Sequence, residues 1–157
     1  MTVADRAGAQ DDAGELAPFD QSLAAIVFGA KEAIIAPMRP KLREYAITEP
    51  QWRVMRVIND RGATDATDLA EVGLLHAPSV TRILKELEAR GLILRERDDQ
   101  DRRRTVVALT GEGRAVVKDI SRHVADVLSA YSDRFGAQRL EQLSQELRAL
   151  SVAIRGI

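Results

Sequence analysis

The sequence predicts a mainly α-helical (α+β) fold, a series of amphipathic helices interrupted by one short β-hairpin, and three observations point to it. Apolar residues recur at helical spacing over most of the 157 residues. Between Leu92 and Leu109 that spacing gives way to two short apolar runs around a polar, arginine-rich turn. Helix boundaries are written out locally, by Thr48 with Gln51, by Asp65, by Pro78 with Gly91, and by Thr110. The length suits one cored domain and leaves little room for a second.

From the N-terminus, residues 1–18 are rich in Ala, Gly and Asp and read as a disordered acidic tail. Leu23, Ile26, Val27, Ala30 and Ile34 make an apolar helical stripe, continued after a break by Met38 and Leu42. The break is Ala36-Pro-Met-Arg-Pro40, where two prolines each remove a backbone donor and crowd a carbonyl one turn earlier, so a kink is expected. Thr48 and Gln51 form a capping box at the start of the helix that carries Trp52. Asp65 caps a short helix to Val72, with Leu69 and Ala70 turned inward, and Gly73 allows a sharp turn into Leu74 and Leu75.

The next helix is bounded at both ends, by Pro78 in its first turn and by Gly91 at a left-handed cap. Val80, Ile83, Leu84 and Leu87 line its buried face at i, i+3, i+4 and i+7, which leaves Ser79, Thr81, Arg82 and Lys85 outward. Leu92 and Leu94 then alternate with Ile93 and Arg95, and Val106, Val107 and Leu109 supply the second strand of the hairpin. Thr110 caps a long helix whose stripe is Val117, Ile120, Val124, Val127, Leu128 and Tyr131. Arg134-Phe-Gly136 is a bend, after which Leu140, Leu143, Leu147, Leu150, Ile154 and Ile157 step by threes and fours. A heptad seam of this kind wants a partner helix, either the preceding helix of the same chain or a second copy. Its extension to the last residue favours a homodimer.

Short hydroxyl and long cationic side chains near a helix N-terminus bond base edges and phosphates, and the helix dipole favours phosphate there. A helix–turn–helix followed by an arginine-tipped hairpin is a DNA-reading module: the helix enters a major groove and the hairpin meets the adjacent backbone or minor groove. In the hairpin turn, Arg102, Arg103 and Arg104 are the cationic tip, and Asp101 directs Arg103 by a charge-assisted bond. Net charge is −1 and by itself gives no sign of DNA binding; residues 1–20 carry −4, which leaves +3 on the rest.

Asp101-Arg-Arg103 with Val107-Ala-Leu109-Thr110, downstream of Leu84-x-x-Leu87-Glu88-x-x-Gly91-Leu92-Ile93, resembles the winged-helix signature of the MarR family of bacterial transcription regulators. The resemblance runs from about Leu23 to the C-terminus. It implies one MarR-like domain over 19–157, with 47–110 as a winged helix-turn-helix and 19–46 and 111–157 as flanking dimerisation helices. It also implies that Pro78, Ser79, Thr81, Arg82 and Lys85 contact the major groove or its phosphates, and that Arg103 enters the minor groove. Leu140, Leu143, Leu147, Leu150 and Ile154 are the expected dimerisation residues.

The kink and the start of the Trp52 helix frame a candidate effector pocket, with Arg39 as a bidentate carboxylate partner and Trp52 as an aromatic wall. Arg53, Arg56 and His76 are the other candidates. The alternative is that Trp52 is core, that the arginines bond backbone carbonyls or acidic neighbours, and that His76 caps a turn. Lys31-Glu-Ala33, Arg39-Pro40 and Thr48-Glu-Pro-Gln-Trp-Arg53 resemble the MarR branch that represses catabolism of aromatic acids such as homoprotocatechuate and hydroxycinnamate, although Lys31 stands where that branch has arginine. That branch implies an effector that is a small aromatic carboxylate or its thioester. A DNA-binding architectural or partner-assembly protein without an effector shares every feature except the pocket.

Other classes are disfavoured. There is no phosphate-binding loop, dinucleotide fingerprint, nucleophile elbow or zinc-protease motif, so catalysis is not expected. With no cysteine and two histidines 47 positions apart, neither disulfides, thiol sensing nor a metal site is expected, and no cofactor is called for. No apolar run approaches the roughly 18 residues of a membrane span, and the N-terminus has no apolar signal core, so a cytoplasmic protein with no membrane contact is expected.

Overall fold

The computed structural model describes residues 18–97 and 105–156. The wing-tip candidates Asp101, Arg102, Arg103 and Arg104 lie outside them, as do the acidic tail to residue 17 and Ile157. Contacts divide the chain into two compact units, one ending at Ala36 and one running from Pro37 onward. The fold is mostly helical with a single two-stranded antiparallel sheet among the described residues.

In the first unit a 3-10 turn, Phe19–Gln21, leads into helix α1, Leu23–Ile35. Ser22 caps α1 by accepting from the backbone N–H of Ala25 at 3.2 Å, and its own hydroxyl donates to the carbonyl of Phe19 at 2.6 Å. The expected apolar stripe lies on this helix, yet α1 has no buried residue. A second 3-10 turn, Ala36–Met38, follows where the prolines predict a break.

The second unit contains α2 (Arg39–Glu44), α3 (Glu49–Arg61), α4 (Ala66–Val72), α5 (Ala77–Ala89), β1 (Ile93–Arg97), β2 (Thr105–Leu109), α6 (Gly111–Phe135) and α7 (Ala137–Ala153). One hydrophobic core joins Val54, Met55 and Ile58 of α3, Leu69 of α4, the inner face of α5, and Val117 and Ile120 of α6. Each such side chain contributes about 1.5–3 kcal/mol by leaving water. The local boundary signals act as the sequence predicts. Thr48 and Gln51 make the reciprocal capping box, Asp65 accepts from the N–H groups of Thr67 and Asp68, and Thr110 accepts from that of Gly113. After α5 the N–H of Leu92 bonds the carbonyl of Leu87 and that of Gly91 bonds Glu88, a Schellman closure around Gly91 at φ 68°.

The sharp turn expected at Gly73 is present: Gly73 keeps a φ of −74° and Leu74 takes the positive φ of 52°. Glycine is required at 73 for space, because a Cβ there would stand 2.6 Å from the carbonyl oxygen of Leu69. Two local expectations are corrected. The alternation in β1 is shifted. Ile93 is buried beside Leu92 while Leu94 is half-exposed, since the strand is anchored at its base under β2, paired Ile93 with Leu109, and rises out of the core from there. In α6 the stripe is buried only through Val124; beyond it Val127 and Tyr131 are half-buried and Leu128 is exposed.

One feature of the sheet has no local sequence signal. Thr64, in the α3–α4 connection, forms a β-bridge with Val107, with backbone bonds of 3.1 and 2.8 Å, so a third short segment edges the hairpin. The hairpin is thereby fixed to the end of α3. At the other end of the unit, α7 packs against α6 after the bend at Gly136 but buries none of its residues. Of the expected dimerisation residues, Leu140 and Leu150 are half-buried, and Leu143, Leu147 and Ile154 are exposed.

Candidate nucleic-acid interface

The face of α5 opposite its core stripe is open. Pro78, Thr81, Arg82 and Lys85 are exposed and Ser79 is half-buried; Pro78 and Ser79 lie in the first turn of α5 and the other three along the turns that follow. His76 occupies the N-cap position but its side chain makes no capping bond. The first-turn N–H groups thus gain no side-chain acceptor from the cap, an arrangement that suits an incoming phosphate. The hydroxyl of Thr81 is bonded back to the carbonyl of Ala77 at 3.3 Å.

Several bonds fix the attitude of α5. The Gln51 amide, buried in α3, donates to Glu86 Oε2 at 2.8 Å, and Arg82 donates to Glu86 Oε1 at 3.0 Å. At the C-terminal end, Arg90 donates to the carbonyls of Tyr45 and Ala46 at 2.6 and 2.8 Å, covering the end of α2. At the turn before α5, Arg53 donates to the carbonyls of Gly73 and Leu74 at 2.9 and 3.2 Å. Its Nε is buried with no partner among the described residues. Beyond α5, Arg95 pairs with Glu88 at 2.9 Å, and Arg95, Glu96 and Arg97 carry the exposed base of the wing.

A polar cluster ties α2 to α6. Asp119 accepts from Lys41 at 2.6 Å and from Tyr45 Oη at 2.7 Å, and Arg122 approaches it at 3.5 Å. The Lys41 ammonium and the Tyr45 hydroxyl hold the Asp119 carboxyl below the ordinary carboxylate range. In return, Asp119 raises Lys41 and Tyr45, with Glu44 adding to the effect on Lys41. One turn further along α6, His123 Nε2 lies 3.1 Å from the carbonyl oxygen of Pro37.

The five effector candidates sit in different surroundings. Trp52 is 8% exposed and belongs to the core. Arg53 is committed to the turn before α5, Arg56 pairs with Asp60 at 3.0 Å, Arg39 is half-buried, and His76 is exposed at the start of α5. Two hollows lie elsewhere in the unit. One of about 240 Å³ is lined by Ile58, Asn59, Gly62, Ala63, Ala108, Leu109 and Arg114. A more open one of about 550 Å³ is lined by Asn59, Arg114, Val117, Lys118, Ser121, Arg122 and Ala125. None of the five candidates lines either hollow. Among the described residues no three His, Asp or Glu side chains converge as metal ligands, and no helix is long and apolar enough to cross a membrane.

Sequence reasoning missed Glu86, Arg90 and the second role of Gln51. The capping-box spacing identified Gln51 as an acceptor for Thr48 but left its amide protons unassigned, and a buried amide must place them.

Comparison with known proteins gives a consistent result. The sequence model described as MarR family matches residues 47–105. The HTH-type transcriptional regulator FarR of Neisseria gonorrhoeae is 34% identical over 122 residues, 78% of this chain and 84% of FarR. The homoprotocatechuate degradative operon repressor of Escherichia coli is 31% identical over 126 residues, 80% of this chain and 85% of the repressor. Among solved structures, NadR in complex with 4-hydroxyphenylacetate is 31% identical with a TM-score of 0.75, covering 87% of this chain and 97% of NadR.

Proposed function

Because this chain belongs to the MarR family, DNA-binding transcriptional regulators rather than enzymes, we propose that it acts in the cytoplasm as a homodimeric repressor on a pseudopalindromic operator. Each copy places the start of α5 in a major groove through Pro78, Ser79, Thr81, Arg82 and Lys85. Arg102, Arg103 and Arg104 meet the neighbouring backbone or minor groove. The observation that carries this reading is the two-sidedness of α5, with a fully buried apolar face and a cationic, hydroxyl-bearing face that nothing in the described chain covers. Residues 19–46 and 111–157 pair the two copies, a role supported by the exposed leucines of α7. Two such helices must sit about 34–36 Å apart to engage successive major grooves together.

We further propose that a small aromatic carboxylate or its thioester releases the operator. Likeness to a homoprotocatechuate operon repressor and to a 4-hydroxyphenylacetate-bound protein supports that ligand class. With Arg53 engaged at the turn, Arg39 and Arg56 are the remaining arginine candidates for the carboxylate. An effector that favours the wrong spacing of the two modules by about 3 kcal/mol weakens operator binding more than a hundredfold.

The test is fluorescence anisotropy of the full chain on a labelled duplex from upstream of its own gene, against scrambled DNA, with and without 4-hydroxyphenylacetate and related aromatic acids. Release by one acid, with saturable quenching of Trp52 emission, is the expected result. Specific binding that ignores every acid removes the effector and leaves a DNA-binding architectural protein. Equal binding to both duplexes removes the operator assignment.

A further inference from the structure

We propose that Glu86 is a specificity-determining positioning residue: held by Gln51, it aims the Arg82 guanidinium and keeps it from binding DNA indiscriminately. The inference rests on the reading of α5 as the DNA-contacting helix. Three linked bonds carry it. Gln51 Oε1 accepts from the N–H of Thr48 at 2.9 Å, Gln51 Nε2 donates to Glu86 Oε2 at 2.8 Å, and Glu86 Oε1 accepts from Arg82 at 3.0 Å.

An exposed arginine and glutamate one helical turn apart form, on their own, a weak and mobile pair. This pair differs because its carboxylate is held from behind. Gln51 is only 6% exposed, and its own direction is set by the cap of α3, so Glu86 has one oxygen fixed by a rigid amide and the other left for Arg82. The Arg82 side chain is 72% exposed and would otherwise sweep a wide arc of the DNA-facing surface. A carboxylate in that place also has an electrostatic consequence. It repels phosphates, so Arg82 gains less from any backbone than a free arginine does, and is favoured only where a base edge offers acceptors in the one direction it is held. A weaker hold on non-specific DNA is the expected price of a sharper choice among sequences.

The test uses the full chain on a duplex selected by it from random sequence, against a scrambled duplex, over a range of salt. Glu86→Gln keeps the size of the side chain and removes the charge that holds Arg82. It is expected to tighten binding to scrambled DNA, to lower the ratio of specific to scrambled affinity by about 3- to 10-fold, and to steepen the salt dependence by up to one ion, in keeping with the range for one base contact and one phosphate contact. Gln51→Glu keeps the acceptor for Thr48 but cannot donate to Glu86 when ionised. It is expected to lower the same ratio with less effect on salt dependence, and thermal melting of both variants shows that the fold is kept. Arg82→Ala separates the two readings. If Arg82→Ala lowers specific binding while Glu86→Gln and Gln51→Glu leave ratio and salt slope unchanged, the positioning role is overturned and α5 still reads DNA. If Arg82→Ala is itself silent, Arg82 is no DNA contact, and the proposal falls with it.

Discussion

In α5 the four apolar residues at helical spacing are each 2% exposed or less, whereas in α7 a longer apolar series at similar spacing buries nothing. Both helices are amphipathic, so periodicity alone does not separate them. What differs is the neighbourhood. α5 is enclosed by α3, α4 and β1, while the described contacts of α7 are chiefly with α6. The first helix finishes its folding inside one chain, and the second presents its apolar series for something else to cover. DNA-reading surfaces need a rigid scaffold, since a base contact displaced by a fraction of an ångström is lost. Pairing surfaces need exposed apolar area in the single chain.

The comparison is broken most directly from the enclosed side. Leu87 of α5 is fully buried, and Leu87→Ala removes three carbon atoms from a core that cannot close over the gap, for an expected loss of about 2–5 kcal/mol. Denaturant unfolding followed by circular dichroism measures it. A loss below about 1 kcal/mol would mean that α5 is less tightly enclosed than its burial indicates. On the open side the expected effect lies in association. Leu143 and Leu147 are 43% and 41% exposed, and replacing both with glutamate puts charges on the proposed pairing surface. A rise in the dimer dissociation constant of about a hundredfold or more, worth about 2.7 kcal/mol, is expected by sedimentation. An unchanged mass at micromolar concentration would move the interface away from α7.

Gly113 sharpens the contrast within α6, whose first turn lies inside the enclosed region. A Cβ at this position would collide with the backbone carbonyl of Leu92, so α6 and the base of β1 approach as closely as they do because the residue is glycine. Gly113→Ala, which on an open helix would stabilise, is expected to cost about 1–3 kcal/mol here because backbone must move. A rise in melting temperature would show that the two elements separate cheaply.

That collision was not legible in the sequence, where Gly113 reads only as an easy helix entry, and the reason is general to this molecule. The signals that were legible span a few residues. Thr48 with Gln51, Asp65, Thr110 and the Gly91 closure all depend on backbone groups at most five positions away, and each is present as expected. The bonds that were not legible join distant segments: Gln51 to Glu86, Arg90 to Tyr45 and Ala46, Tyr45 to Asp119, Thr64 to Val107. No periodicity encodes a partner 35 to 74 positions away. The positive φ of Ala46 and Leu74 was likewise hidden, since neither is a residue type that marks a left-handed turn; both are held by the closure of the helix before them and by arginine donors to the carbonyls beside them. For the same reason the outward face of α5 was readable residue by residue, while the grouping of Arg39, Trp52, Arg53, Arg56 and His76 as one pocket required a tertiary arrangement that spacing does not specify.

The smallest expected effect concerns the seam between the enclosed region and the long helix, where Asp119 of α6 holds Lys41 and Tyr45 of α2. Asp119 titrates below the ordinary carboxylate value in the folded chain, chiefly through Lys41 and then Tyr45. A group with a lowered folded pKa adds stability above its unfolded value, and that stability disappears as pH falls through the folded one. The contribution of this cluster is therefore constant near neutrality and lost below about pH 4, the ordinary carboxylate value. Lys41 is raised in the folded state, so its share persists through neutral pH and is lost only in strong alkali. Asp119→Asn keeps the shape of the side chain and removes the charge. Its melting temperature is expected to lie below that of the unaltered chain at pH 7, and the gap is expected to narrow steadily between pH 5 and pH 2 as protonation makes the two alike. A gap that stays constant over that range would mean that Asp119 contributes by packing or neutral hydrogen bonding, and that α2 is held to α6 by the core contacts of Leu42 rather than by the ionised carboxylate.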